Sequence, residues 1–276
     1  MQKEIRELKT KDGQKIWQIT TSDERFYGKQ TTNPTTGLPE IIWLPSVTWI
    51  KNYYYTSPYL VRWIADKGLT ESERIKKEAG TRGDKIHQAT EQLEKDGEIR
   101  IEDKFLNKET GQMEELTAEE LEAVISYKDF IDDTNAEILA NEMTVFGEKY
   151  AGTLDRIFRI NGQIYIIDLK SSQNIRKDMI IQLSAYSHTE IDYTGLGITD
   201  EEWKARKLAV LQLGYQKNSK KYKFTEIEDR YDLFELAYSV WQEENPDAKP
   251  KQKDFPLVIK LQRSIANQKR VKKLKK

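Results

Sequence analysis

The stretch Ala151 to Tyr186, AGTLDRIFRINGQIYIIDLKSSQNIRKDMIIQLSAY, constrains this chain more than any other. Two apolar runs flank Asn161-Gly162. Asn-Gly between such runs predicts a two-residue type I′ turn, because both central residues must take positive φ. With that loop length Ile160 pairs with Gln163, and counting back along the ladder puts Asp155 opposite Asp168 and Thr153 opposite Lys170. Alternation along a strand then projects Asp155, Asp168 and Lys170 from one face. Directly opposed residues hold their Cβ atoms about 4.5–5.5 Å apart, where like charges destabilise a sheet. A divalent cation justifies such a pair, since Mg²⁺ is bound through one or two carboxylates with water and phosphate completing its shell. A lysine on the same face can orient or deprotonate a water, or stabilise phosphate charge. The plainer alternative is a surface hairpin with a Lys–Asp salt bridge. It fits poorly, because Ile157, Phe158, Ile160, Ile164, Ile166, Ile167 and Leu169 leave both faces largely apolar.

At 276 residues the chain is one large domain or two small ones, with enough length for a real core. Its hydrophobic fraction of 37% is low but not low enough for disorder. A net charge of −1 does not by itself announce a nucleic-acid binder. The distribution is uneven, however. Glu91 to Glu142 is strongly acidic, whereas no acid follows Asp254 and eight Lys/Arg fall between Lys260 and Lys276. Such a basic end either contacts phosphate or is a solvated helix end. The absence of cysteine excludes disulfides, cysteine nucleophiles, thiolate zinc sites and cysteine-ligated iron–sulfur clusters. The polar start has no signal-peptide pattern, and no apolar run approaches the ~18–20 residues of a membrane span, so a cytoplasmic protein is the expectation.

Along the chain, Ile16–Thr20, Arg25–Tyr27 and Ile41–Leu44 are β-prone, with a loop at Asn33–Glu40. Ser46 is a candidate N-cap, and Ser57-Pro58 opens a helix that stops at Gly68. Tyr54, Tyr55, Arg62 and Trp63 offer either a stacking platform for bases or ordinary core packing. Thr70 to Lys95 predicts a long helix with a Thr70/Glu73 capping box. Gly80 and Gly83 within it suggest a break or a close backbone approach, and His87 lies beside its apolar stripe. A small hairpin is expected around Asn107–Gly111, a helix over Thr117–Asp133, and a strand over Ala136–Phe146 with Glu142 in its middle. After the central hairpin come Ser171-Ser172 and a helix over Asp178–Tyr193, on which Gln182 and Tyr186 share a face. Strands at Lys207–Leu213 and Lys221–Thr225, a helix over Glu226–Glu243, a loop, and a basic helix over the last twenty residues complete the reading.

Taken in order, GTRGDKIH (Gly80–His87), GTLD (Gly152–Asp155), IDLKSS (Ile167–Ser172) and QLSAY (Gln182–Tyr186) resemble the PD-(D/E)xK nuclease superfamily. The branch they are most similar to is the RecB-type exonucleases, with phage-encoded members and the mitochondrial genome maintenance exonuclease among them. The match covers roughly residues 75–215, and LPSVTWI (Leu44–Ile50) looks like the front end of phage members. DxK alone is frequent by chance; the weight lies in several pieces in one order.

The resemblance implies an α/β fold: a mixed central sheet flanked by helices, a restriction-endonuclease-like core, with a helical and β-rich N-terminal cover. It places the cover at 1–70, the nuclease core at 71–245 and a basic C-terminal segment at 246–276. It implies Mg²⁺ or Mn²⁺ held by His87, Asp155, Asp168 and the Leu169 carbonyl, with Lys170 as the catalytic lysine. Glu142, Gln182 and Tyr186 become supporting residues, and Tyr54, Tyr55, Arg62, Trp63, Ser171 and Ser172 candidate DNA contacts. The implied activity is hydrolysis of DNA phosphodiester bonds, as an exonuclease on single-stranded or frayed ends in repair or recombination. The alternatives are a double-strand exonuclease, a structure-specific endonuclease, or a non-catalytic DNA-binding protein on the same fold. Leu154 stands before Asp155 where other branches carry proline. The iron–sulfur cluster of several relatives is impossible without cysteine. No GxxxxGK[ST] motif is present, so any helicase partner is another chain.

Overall fold

The computed structural model describes residues 4–9, 15–21, 24–54 and 57–250. Tyr55 and the basic run Lys260–Lys276 therefore lie outside the described residues. The described chain opens with an antiparallel meander, β1 (Glu4–Lys9), β2 (Lys15–Thr20), β3 (Arg25–Thr32) and β4 (Pro39–Pro45), in that spatial order. A short helix α1 (Val47–Ile50) follows, capped by Ser46 Oγ accepting from the Trp49 amide, and a 3₁₀ turn spans Lys51–Tyr53. Helix α2 (Pro58–Lys67) starts at Ser57-Pro58 as the sequence predicts and ends at Gly68, which has φ 80°.

Helix α3 (Leu69–Asp96) differs from the expectation at its start. Gly68 closes α2 and opens α3, so Thr70 falls inside the helix and no capping box forms there. Nor do Gly80 and Gly83 break the helix. A Cβ added at either would meet nothing within 4 Å, so these glycines leave open space rather than admit a neighbouring backbone. A two-stranded ribbon, β5 (Lys104–Leu106) with β6 (Met113–Glu115), precedes helix α4 (Ala118–Thr134), whose Thr117/Glu120 capping box is complete.

The central sheet contains β7 (Glu137–Phe146), β8 (Ala151–Ile160), β9 (Gln163–Lys170), β10 (Lys207–Leu213) and β11 (Tyr222–Ile227), in spatial order β11-β10-β9-β8-β7. Only β9 and β10 are parallel, and the connection between them carries α5 (Lys177–Ser187) and the short α6 (Asp200–Lys204). The fold is thus mixed α/β with a mixed five-stranded sheet. Helix α5 stops six residues short of the expected Tyr193. Helix α7 (Tyr231–Glu244) starts later than expected, because Glu226 and Ile227 pair with Ala209 and Leu208 in the sheet.

The core sorts into two layers, by strand alternation on β9 and β10 and with the alternation interrupted on β8 between Leu154 and Ile157. Leu154, Ile157, Ile164, Ile166 and Leu208 pack with α1, α5 and α7, while Phe158, Ile160, Ile167, Leu169 and Leu211 pack with α3 and α4. The N-terminal sheet joins this body through Ile16, Tyr27, Phe146 and Ala151, and through a parallel bridge from Ser46 to Ala151. An edge-to-face run Phe26–Trp49–Trp241 extends the junction to α7. Among the described residues no helix is long and apolar enough to cross a membrane.

Candidate functional site

The Asn161-Gly162 turn forms as the sequence requires, with φ of 50° and 79°. The ladder runs in the expected register from Ile160↔Gln163 to Arg156↔Ile167 and stops there. Asp155 and Asp168 are therefore not ladder partners, which corrects the simple extrapolation. The cause is local: Asp155 Oδ2 accepts the Leu169 amide at 2.8 Å, so a side-chain oxygen takes a donor that a backbone carbonyl would otherwise hold. The facing strand shows the same interruption. Glu142 has φ 41° and drops out of the β7–β8 ladder between Asn141↔Arg156 and Met143↔Leu154. Two acidic side chains thus leave the sheet pattern at the same level, and both turn into one cleft.

That cleft encloses about 1570 Å³ between the N-terminal sheet, α3, the β7–β8–β9 strands and α5. His87 from α3 lies in it, with Nδ1 2.9 Å from Glu142 Oε1 and Nε2 3.8 Å from Asp155 Oδ2. An ionised carboxylate only accepts, so Nδ1 carries the proton donated to Glu142. Nε2 is then the nitrogen turned toward Asp155. Burial opposes charge on His87, but Asp155 and Glu142 outweigh it and raise the imidazole above its ordinary range. One ligand atom each from His87, Glu142 and Asp155 lies within 4.8 Å of the others.

Asp168 and Lys170 complete the cluster. Lys170 Nζ is 2.7 Å from Asp168 Oδ2 and 4.0 Å from Asp155 Oδ2, and it donates to the Leu169 carbonyl at 3.2 Å. Burial pushes the Asp168 carboxyl up to about 6, with Asp155 adding to the rise and Lys170 opposing it. Lys170 is held above its ordinary range because Asp168 and Asp155 outweigh its burial. It is therefore an ammonium at neutral pH, a donor and cation rather than a base. Asp168 is 1% exposed, yet neither oxygen makes a hydrogen bond of good geometry, the close lysine notwithstanding. Buried polar atoms are rarely left so. Oxygen donors with one imidazole suit Mg²⁺ or Mn²⁺, and a buried Asp168 whose only close partner is Lys170 leaves carboxylate lone pairs that such a cation could take.

The sequence reading missed two members of the surroundings. Arg156 is fully buried; its guanidinium reaches Glu94 Oε1 at 2.6 Å, Thr90 Oγ1 at 3.1 Å, Glu142 Oε1 at 3.4 Å and the Asp155 carbonyl at 2.8 Å. Lys51, from the N-terminal segment, donates to Gln182 Oε1 at 2.6 Å and Asp178 Oδ2 at 3.3 Å. Gln182 in turn donates to the Tyr186 hydroxyl at 3.3 Å, which joins the expected Gln182/Tyr186 face to the cleft. Ser171 and Ser172 line the cleft, but Tyr54, Arg62 and Trp63 do not. Tyr54 instead packs against the α5/α7 core layer, and Arg62 is exposed on α2.

No protein-family model matches this chain, and no curated protein does either. Among solved structures, the crystal structure of SSO0001 is similar at 13% identity and a TM-score of 0.29, over 62% of this chain and 76% of that one. A likeness of that size carries no argument about fold or chemistry.

Proposed function

We propose that this chain is a Mg²⁺- or Mn²⁺-dependent deoxyribonuclease with a restriction-endonuclease-like core, acting as an exonuclease on single-stranded or frayed DNA ends. The observation that carries this reading is the convergence of His87, Asp155 and Lys170 from a helix and two strands on one cleft, with the buried Asp168 carboxylate 2.7 Å from Lys170 Nζ. His87, Asp155, Asp168 and the Leu169 carbonyl would hold the cation. When bound, it supplies a Lewis acid for the scissile phosphate and lowers the pKa of a coordinated water.

The remaining work falls to the chain's own groups. Lys170, charged and close to Asp168, orients the attacking water or donates to a phosphoryl oxygen and stabilises the negative charge that grows on the phosphate. Glu142 fixes the His87 tautomer and ring plane through Nδ1, as carboxylates behind ligating histidines do. Arg156 locks Glu142 and the Asp155 backbone in place. No covalent intermediate is required.

The test uses end-labelled single- and double-stranded DNA with Mn²⁺ or Mg²⁺. The native chain is expected to degrade labelled ends, and Asp168→Ala and Lys170→Ala to lose about 10²- to 10³-fold in rate, as removal of a central electrostatic group does. Both variants keep a cooperative thermal transition. Hydrolysis that survives both substitutions sinks the assignment. Cleavage of circular single strands would make the enzyme an endonuclease.

A further inference from the structure

Strand β3 presents Arg25, Tyr27 and Lys29 to the same cleft, at alternate positions and hence from one face. Tyr27 is buried, and its hydroxyl lies 3.2 Å from Thr153 Oγ1, two residues from Asp155. The strand is thus pinned directly across from the acidic cluster. Gly28, between these residues on the opposite face, is covered by Trp43: a Cβ there would come within 2.8 Å of the indole. The other side of β3 is therefore closed, and only the cleft side carries charge.

The two cations rest on aromatic rings. Arg25 lies 5.8 Å from the Tyr27 ring centroid and Lys29 lies 5.4 Å from that of Phe146. Arg25 Nε is buried without a hydrogen-bond partner, and neither cation has a carboxylate partner among the described residues. The other basic groups of the cleft rim are already neutralised, Arg82 by Glu119, Lys108 by Asp84 and Arg176 by Asp178. On the opposite wall Gly80 and Gly83 leave open space between the α3 side chains Arg82, Asp84 and His87. The cleft volume exceeds the roughly 300–1,000 Å³ of a small-molecule pocket, which suits an oligomer.

We infer that Arg25 and Lys29 form a phosphate rail that holds the backbone of a single nucleic-acid strand against the acidic cluster. This deepens the nuclease reading and rests on it for the direction of the strand toward Asp168. The commitment to a single strand rests on the Tyr27–Thr153 link, which ties the two walls together beside Asp155 and narrows the cleft there. Phosphate contacts position a strand without reading its sequence, so the rail accepts any base.

The experiment is fluorescence anisotropy on the full chain with labelled oligo-dT, oligo-U and a blunt DNA hairpin, in Ca²⁺ and over a range of salt. Each phosphate contact to a single strand contributes about 0.7 to the slope of log K against log salt. Arg25→Ala/Lys29→Ala is expected to weaken oligo-dT binding on the order of tenfold at about 0.1 M salt and to lower the slope by about 1.4. Lys207→Ala, a control whose partner is Glu226 on the adjacent strand β11, is expected to change neither. The single variants Arg25→Gln and Lys29→Gln, with thermal melts, keep the result readable if the double variant folds poorly. The arms for oligo-U and oligo-dT separate RNA from DNA. An unchanged affinity and salt slope overturns the rail, and so does an absence of oligonucleotide binding by the native chain. Duplex binding as tight as single-strand binding overturns the single-strand assignment. Binding is read without hydrolysis, so an inactive protein that still shows the slope change would fail the nuclease reading and keep the rail.

Discussion

Glu142 carries a backbone conformation that costs a non-glycine residue about 1–2 kcal/mol, at φ 41° in the middle of a strand. The hydrogen bonds to His87 and Arg156 are what that conformation obtains. Truncation separates the two effects. Glu142→Ala is expected to lower Mn²⁺ affinity about 10- to 100-fold, as removal of a carboxylate behind a ligating histidine does. Calorimetric titration with Mn²⁺ checks the affinity, and the ¹⁵N shifts of His87 report loss of the Nδ1–H tautomer. An unchanged affinity with a changed melting temperature would make Glu142 a structural residue only. Asp155, Asp168 and Lys170 were legible because their spacing survives in one dimension, whereas His87, on a helix far earlier in the chain, was reached only through the family resemblance. Arg156 was not legible: its partners Glu94 and Thr90 are 62 and 66 residues away, and an arginine in a largely apolar strand gives no sign of them. The signal that was present is on α3, where His87, Thr90 and Glu94 share one face at i, i+3 and i+7.

The central hairpin shows what a local rule reaches. Its turn depends on two residues and formed as read, while the ladder beyond Arg156 depends on a side chain competing with the backbone and did not. The same division separates the helix start at Thr117, which formed as read, from the Thr70 capping box, which lost to a helix start set by Gly68. Helix α7 lost its expected first residues to strand pairing for the same kind of reason: tertiary contacts override propensity. Between β8 and α5 one contact sets how closely the hairpin approaches the Gln182/Tyr186 helix. A Cβ on Gly152 would lie 2.4 Å from Tyr186 Cε1, and the ring is buried. Gly152→Ala is expected to destabilise the fold by about 1–3 kcal/mol through overpacking. Gly152→Ala/Tyr186→Ala, which makes room, should cost less than the two single changes added together. Urea titrations of the four proteins check this. Additive costs would mean that the ring and the glycine do not constrain each other.

At the scale of the molecule, a near-neutral chain concentrates opposite charges where its two sheets meet: acids on the floor of the cleft, Arg25 and Lys29 on the roof. That arrangement makes stability depend on pH in a definite direction. The folded-state pKa of Asp168 is raised to about 6, above its ordinary 3.8, so the folded protein holds a proton that the unfolded chain has released. The stabilisation linked to that proton is complete below about pH 4 and is lost as pH rises through about 6. His87, also raised, contributes in the same sense at its own higher range. A cation in the cleft reverses the balance, because it binds the ionised carboxylate and the neutral imidazole and so displaces these protons. Mn²⁺ is therefore expected to raise the melting temperature more at about pH 7.5 than at about pH 5.5, with proton release on binding at the lower pH. In Asp168→Asn the Mn²⁺-dependent rise should shrink at both pH values, and its remaining pH dependence should follow His87 alone. Thermal melts of both proteins with Mn²⁺ and with chelator measure this. A Mn²⁺ effect equal at the two pH values would place the cation away from Asp168 and His87, and the proposed chemistry would lose its centre.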